Sequence, residues 1–154
     1  MLGDNPQFHL RIGSRFENID LVQVVLNDSL LQLGLDDDAR HWIDLAVREA
    51  VANAIKHGNR QQPDKQVHVD FALEGEELVI RILDQGEGFD ASGLQDPLSP
   101  ENLLRPSGRG IFYMRSFMDQ VEYNSPPGGG TVVTLRKRLE GARATEDNQE
   151  DLSS

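Results

Sequence analysis

Residues 36–58 constrain the fold of this chain most. Their apolar residues recur at helical spacing and form one broad face, namely Trp42, Ile43, Leu45, Ala46, Val47, Ala50, Val51, Ala54 and Ile55. Asp36 or Asp37 is suited to cap the start of this helix, and Gly58 is suited to end it. A helix with so broad an apolar face must pack against another layer of the protein.

The other predicted elements supply that layer. Five segments are predicted to be strands, because they alternate apolar and polar residues or flank turns rich in glycine and proline: residues 8–12, 67–73, 78–83, 120–123 and 131–136. A further amphipathic helix is predicted over 16–33, and a short helix over 110–118. The two long helices can cover one face of the sheet. We therefore predict a two-layer α/β sandwich with a mixed, mostly antiparallel sheet covered by helices on one face.

The charge balance limits the classes of partner. The chain has 15 Lys plus Arg against 26 Asp plus Glu, a formal charge of −11 that repels nucleic-acid backbones and anionic membranes. Direct binding to nucleic acid or membrane is therefore not expected. The absence of cysteine excludes disulfides and thiolate metal sites. No signal peptide or membrane-spanning stretch is visible, so a cytoplasmic location is expected.

The first candidate site lies on the helix predicted over 36–58. Glu49 and Asn53 stand four residues apart and share one helix face, and Lys56 and His57 follow one turn later. An amide oxygen can ligate Mg²⁺, and a carboxylate can accept a proton from an attacking hydroxyl group. The alternative is a solvated helix face on which Lys56 complements the helix dipole.

The second candidate is Asp84, which follows the strand predicted over 78–83. An ionised carboxylate only accepts hydrogen bonds, so it can pair with the exocyclic amine of adenine but repels the carbonyl group of guanine. Gly86 and Gly88 would let the main chain approach a ring closely. The alternative is an ordinary turn. The long segment that follows, residues 90–107, is interpreted as a lid that orders on nucleotide binding.

The third candidate is the turn from Ser107 through Gly108, Arg109 and Gly110, which opens the helix predicted over 110–118. Unpaired N–H groups at a helix start favour an anion such as triphosphate. Arg109, with Arg105 as a second candidate, can offset charge that develops on a transferred phosphoryl group. The alternative is that Ser107 only caps the helix.

In chain order, the three candidates resemble the N, G1 and G2 boxes of the GHKL superfamily of gyrases, heat-shock chaperones, histidine kinases and mismatch-repair ATPases, which share the Bergerat ATP-binding fold. Residues 49–58 and 107–119 are most similar to bacterial anti-sigma-factor serine/threonine kinases, although Ser107 stands where many relatives carry glycine. The predicted final strand, residues 130–137, is also similar to the last strand of these kinases. The resemblance implies one ATP-binding kinase domain over residues 1–139. The acidic tail, 140–154, is predicted to be disordered from its composition.

The resemblance implies a role for each matched residue. Asn53 would hold Mg²⁺, Glu49 would be the general base and Arg109 would assist catalysis at the γ-phosphate. The other residues expected to contact ATP are Lys56, His57, Asp84, Gly86, Gly88, Phe89, Ser107, Gly108, Gly110 and Ile111. The last strand would add Thr131 or Thr134, between which the sequence does not choose.

The activity implied by the resemblance is transfer of the ATP γ-phosphoryl group to serine or threonine of an anti-anti-sigma protein with a STAS domain. A second implied activity is sequestration of a sigma factor, with a homodimer as the working unit. The alternative is a nucleotide-gated binding module with little or no phosphotransfer, but Glu49 favours catalysis because such a module needs no base. A histidine kinase would need a phosphoacceptor histidine on an upstream helical hairpin, and none of the four histidines fits.

Overall fold

A computed structural model describes residues 7–86 and 115–139. The described part contains two long helices and five strands: β1 (Phe8–Gly13), α1 (Ile19–Gln32), α2 (Asp37–Asn53), β2 (Gln66–Glu74), β3 (Glu77–Leu83), β4 (Gln120–Asn124) and β5 (Val132–Arg138). The predicted lid at 90–107, most of the helix predicted over 110–118 and the predicted tail at 140–154 lie outside the described residues. Residues 115–118 of that helix are described, and 115–117 are helical.

Both long helices form where the apolar periodicity predicts them. The segment predicted as one helix over 16–33 consists of a 3-10 turn, Phe16–Asn18, followed by α1. Gly34 terminates α1 with a φ of +79°, a conformation that glycine adopts without strain. Asp36 is the residue that caps α2, because its side chain accepts a hydrogen bond from the Ala39 N–H at 2.8 Å.

The end of α2 differs from a simple stop at Gly58. The helix continues as a π turn over Ala54–Gly58. The Asn59 N–H closes this turn by donating to the Ala54 carbonyl oxygen at 2.8 Å. One residue more than usual is therefore fitted into the last turn, and π turns of this kind are frequent at functional sites.

The sheet has the strand order β1-β2-β3-β5-β4, and each of the four pairings is antiparallel. The predicted hairpin of β2 and β3 is confirmed: Glu74 pairs with Glu77 around a turn in which Gly75 has a φ of +64°. The predicted two-layer α/β sandwich is also confirmed, although the sheet is antiparallel throughout its described strands and not mixed.

The two faces of the sheet differ in chemistry. One face carries the buried apolar side chains that form a common core with α1 and α2, among them Val67, Val69, Phe71, Leu78, Ile80, Ile82, Val133 and Leu135. The opposite face carries a row of polar residues that pair across the strands, namely His9, Asp70, Arg81, Thr134 and Glu122. One helical layer therefore covers one face. Within the described ranges, neither helix is long and apolar enough to cross a bilayer.

Candidate functional site

Glu49 and Asn53 lie on one face of α2, as their spacing predicts, and both side chains are half-buried. Glu49 Oε1 is buried and accepts no hydrogen bond from a described residue. Burial raises the pKa of Glu49, whereas hydrogen bonding from Asn53 and the charge of Lys56 lower it by less. The result is a carboxylate that holds a proton more readily than an ordinary glutamate and has an oxygen that is not committed within the described structure.

Tyr123 of β4 lies close enough to Glu49 for the two side chains to interact electrostatically. Burial and the negative charge of Glu49 both raise the pKa of Tyr123. Its strand partner Val133 belongs to the core that packs against the helices, so Tyr123 is on the helix-covered face of the sheet. Glu49 therefore lies near β4, on the face of the sheet that the helices cover. Lys56 and His57 lie beyond Asn53 and are exposed.

Asp84 directly follows β3, and its two carboxylate oxygens have different surroundings. Oδ1 accepts hydrogen bonds from the Gly86 N–H at 3.0 Å and the Thr131 N–H at 3.1 Å. No described residue donates a hydrogen bond to Oδ2. Burial raises the pKa of Asp84, and the N–H groups of Gly86 and Thr131, followed by the charge of Lys65, lower it by less. One oxygen thus fixes the carboxylate, and the other, which lies against Gly58, is held by no hydrogen bond from a described residue.

Three glycines enclose Asp84 so closely that a side chain on any of them would overlap its neighbours. A Cβ atom on Gly58 would overlap the Asp84 carboxylate, and one on Gly130 would overlap the Asp84 carbonyl oxygen. A Cβ atom on Gly86 would overlap the carbonyl oxygen of Gly58. Gly58 lies five residues after Asn53. The end of α2 and the end of β3 are therefore in direct contact, and the first two candidate segments meet at one end of the molecule.

Thr131 and Thr134 lie in different surroundings, and only Thr131 contacts Asp84. The Thr131 carbonyl oxygen accepts a hydrogen bond from the Asp84 N–H at 3.0 Å, and its own N–H donates to Asp84 Oδ1. Thr134 instead pairs with Arg81 and Glu122 on the face of the sheet opposite α2, where it is buried. Of the two threonines, Thr131 is the one that lies beside the Asp84 carboxylate.

Asn59 is a site residue that the sequence patterns did not identify. It is fully buried, and its Nδ2 donates to Ser14 Oγ at 2.9 Å and to the Gln66 carbonyl oxygen at 3.0 Å. Its Oδ1 accepts from the Gln85 N–H at 2.7 Å. Asparagine is common beside a helix-ending glycine, so nothing in the local sequence distinguishes this one.

Seven predicted site residues lie outside the described residues: Gly88, Phe89, Ser107, Gly108, Arg109, Gly110 and Ile111. The predicted catalytic role of Arg109 and the phosphate-binding turn therefore stay predictions. Eight other predicted site residues are described, and seven of them lie on α2, on its π turn or around Asp84. Thr134 is the exception.

The described arrangement suits a ligand with a polar edge that donates a hydrogen bond. Asp84 Oδ2 offers a fixed hydrogen-bond acceptor beside backbone that carries no side chains, and Glu49 offers a proton acceptor on the adjoining helix. Among the described residues there is no group of three or more His, Cys, Asp or Glu that could hold a metal ion by itself.

Comparisons with known proteins show which family the chain is similar to. A family model described as the histidine kinase-like ATPase domain matches residues 12–137. The anti-sigma F factor of Bacillus velezensis is 33% identical over 142 residues, which cover 90% of this chain and 96% of the relative. The serine-protein kinase RsbW of Bacillus subtilis is 24% identical over 153 residues, covering 96% of this chain and 94% of the relative.

A solved structure shows the same fold. The crystal structure of the RsbU and RsbW domains of a Mycobacterium tuberculosis protein superposes with a TM-score of 0.64 at 21% identity, covering 86% of this chain. This chain spans only 32% of that longer chain. The likeness to it is therefore one of fold.

Proposed function

This chain belongs to the histidine kinase-like ATPase domain family, and we propose that it transfers the γ-phosphoryl group of ATP to a serine or threonine of an anti-anti-sigma protein with a STAS domain. We propose further that it sequesters a sigma factor until that partner displaces it, and that a homodimer is the working unit. The names of the relatives, anti-sigma F factor and serine-protein kinase, support the first two statements. The resemblance of the sequence motifs to that kinase group supports all three.

The observation that carries the kinase proposal is the state of Glu49. Its Oε1 is buried without a hydrogen bond from the described residues, and burial raises its pKa. A general base works best when its pKa approaches the working pH. Glu49 would take the proton of the acceptor hydroxyl group as that oxygen bonds to the γ-phosphorus, and the bond between the γ-phosphorus and the ADP oxygen would break.

The surroundings of Asp84 support adenine as the base. Oδ2 would accept a hydrogen bond from the exocyclic amine. The close packing of Gly58, Gly86 and Gly130 around Asp84 would keep the carboxylate in place for this contact. Asn53, one turn beyond Glu49, would contribute its side-chain oxygen to Mg²⁺, which offsets the charge of the phosphate oxygens. Arg109 and the glycine turn around it would contact the phosphates.

The experiment that tests the proposal is incubation of the purified chain with labelled ATP and candidate STAS proteins, followed by mapping of the phosphorylated residue. Glu49→Gln should lower the transfer rate by about 10²- to 10⁴-fold, the usual contribution of a general base, while ATP binding stays close to that of the unsubstituted chain. The matched control is Glu17→Gln, because Glu17 is exposed on the 3-10 turn before α1. It should change neither quantity.

Two outcomes would separate the alternatives. If the unsubstituted chain binds ATP but phosphorylates no STAS protein, it is a nucleotide-gated binding module. If Glu49→Gln transfers phosphate as fast as the unsubstituted chain, Glu49 is not the base.

A further inference from the structure

The buried side chain of Asn59 uses all of its hydrogen-bonding groups within one network. Both Nδ2 hydrogens are donated, to Ser14 Oγ and the Gln66 carbonyl oxygen, and Oδ1 accepts from the Gln85 N–H. Ser14 directly follows β1, Gln66 begins β2, and Gln85 lies in the segment after β3. A fully satisfied buried amide is costly to disrupt and fixes the elements that it joins.

Gln85 is the partner that connects this network to the ligand site, since it lies between Asp84 and Gly86. Its N–H is held by Asn59 Oδ1, and its side-chain Oε1 accepts from the Gln66 N–H at 2.7 Å. The peptide group joining Asp84 and Gln85 is therefore held through the Gln85 N–H. On its other side, the Asp84 carbonyl oxygen faces Gly130 so closely that no Cβ fits there. The direction of the Asp84 side chain follows from the orientation of this peptide group.

The backbone around Asn59 is arranged to bring its side chain to this place. The π turn over Ala54–Gly58 shifts Asn59 relative to a regular helix, and its N–H closes that turn. The next two residues, Arg60 and Gln61, have φ values of 52° and 57°, which residues other than glycine rarely adopt. Conformations of this kind persist when the surrounding contacts hold them, and they cluster at functional sites.

We propose that Asn59 is a positioning residue that sets the purine selectivity of the nucleotide site. It acts by holding the Gln85 N–H, and through it the Asp84 carboxylate, without touching the nucleotide itself. This inference rests on the proposed function, in which Asp84 Oδ2 accepts from the amine of adenine. It adds a determinant of selectivity that comes from the end of α2.

The test measures the dissociation constants of ATP and inosine triphosphate, which carries a carbonyl group in place of the exocyclic amine. The comparison is made between the unsubstituted chain, Asn59→Ala and Ser14→Ala. Ser14→Ala is the matched control because Ser14 is buried and belongs to the same network, but it holds no part of the segment after β3. Asn59→Ala should reduce the preference for ATP by about tenfold, the worth of one hydrogen bond. Ser14→Ala should keep the preference.

The outcomes distinguish the inference from the proposed function. If the unsubstituted chain does not prefer ATP, the assignment of Asp84 to adenine fails, whatever Asn59 does. If it prefers ATP and Asn59→Ala preserves the ratio, the role of Asn59 fails. An equal loss of preference in Ser14→Ala would also overturn it, because the effect would then belong to the network as a whole.

Hydrogen exchange in the unsubstituted chain tests the same idea if Asn59→Ala does not fold. The Gln85 amide should exchange slowly in the absence of nucleotide, because Asn59 already holds it. Exchange at the rate of an exposed amide would contradict pre-positioning of Asp84.

Discussion

Asp84→Asn should separate nucleotide binding from the stability of the free protein. An asparagine keeps Oδ1 as the acceptor for the N–H groups of Gly86 and Thr131, so the local backbone is retained. It replaces Oδ2 with an Nδ2 donor, which would face the amine of adenine. The structure therefore predicts the loss of one hydrogen bond to a charged group, worth about 1.5–3 kcal/mol. At 1.4 kcal/mol per tenfold, ATP should bind about 10- to 150-fold more weakly.

The stability of the nucleotide-free Asp84→Asn protein should not fall, in contrast to its affinity for ATP. Burial raises the pKa of Asp84 in the folded protein, so the folded state holds the proton more tightly than the unfolded chain. Stability therefore falls as pH rises from the usual carboxyl range through the raised pKa, and the ionised carboxylate is a cost at neutral pH. Asp84→Asn removes that cost, so its melting temperature without nucleotide at pH 7 should equal or exceed that of the unsubstituted chain.

The assay is calorimetric titration with Mg-ATP, together with thermal unfolding of the free protein. Asp70→Asn is the matched control, because Asp70 lies on the polar face of the sheet and bonds to His9. It should leave ATP affinity unchanged. An Asp84→Asn protein that binds ATP within twofold of the unsubstituted chain would refute the reasoning, since Asp84 would then be only a turn residue.

Two further predictions concern the glycine enclosure and the catalytic base. Gly58→Ala should lower the free energy of unfolding by about 1–3 kcal/mol and weaken ATP binding, because the added methyl group overlaps the Asp84 carboxylate. Urea unfolding measures the loss of stability. The control is Gly75→Ala, where no atom lies within 4 Å, so it should cost only the strain of its φ of +64° and leave ATP binding unchanged. Equal ATP affinity in both variants would contradict the predicted overlap. Because burial raises the pKa of Glu49, phosphotransfer should decline on acidification at a higher pH than for an ordinary glutamate. A profile of kcat/KM against pH measures this, and a flat profile through the acid range would argue against Glu49 as the base.

Much of the fold was predictable because it depends on local periodicity. The apolar spacing of both helices, the Asp36 cap and the turn at Gly75 each rely on residues within one or two turns of chain. The pairing of Glu49 with Asn53 is predictable for the same reason, since a spacing of four places two side chains on one helix face. Asp84 was identifiable from its position at the end of a strand.

The parts that escaped prediction depend on contacts between distant residues. Asn59 bonds to Gln85, which lies 26 residues further along the chain, and no local pattern reveals that contact. The choice between Thr131 and Thr134 depends on contacts with distant residues, since Thr131 exchanges hydrogen bonds with Asp84 whereas Thr134 pairs with Arg81. The π turn was missed because a glycine at a helix end predicts a stop and not an additional residue in the turn.

The most direct measurement of the central claim is a crystal structure of the chain with Mg²⁺ and a non-hydrolysable ATP analogue. The account predicts that the adenine amine lies about 3 Å from Asp84 Oδ2. It also predicts the metal ion at the Asn53 side-chain oxygen and the γ-phosphate on the side of Glu49. An analogue bound elsewhere, or bound with its adenine away from Asp84, would contradict the account.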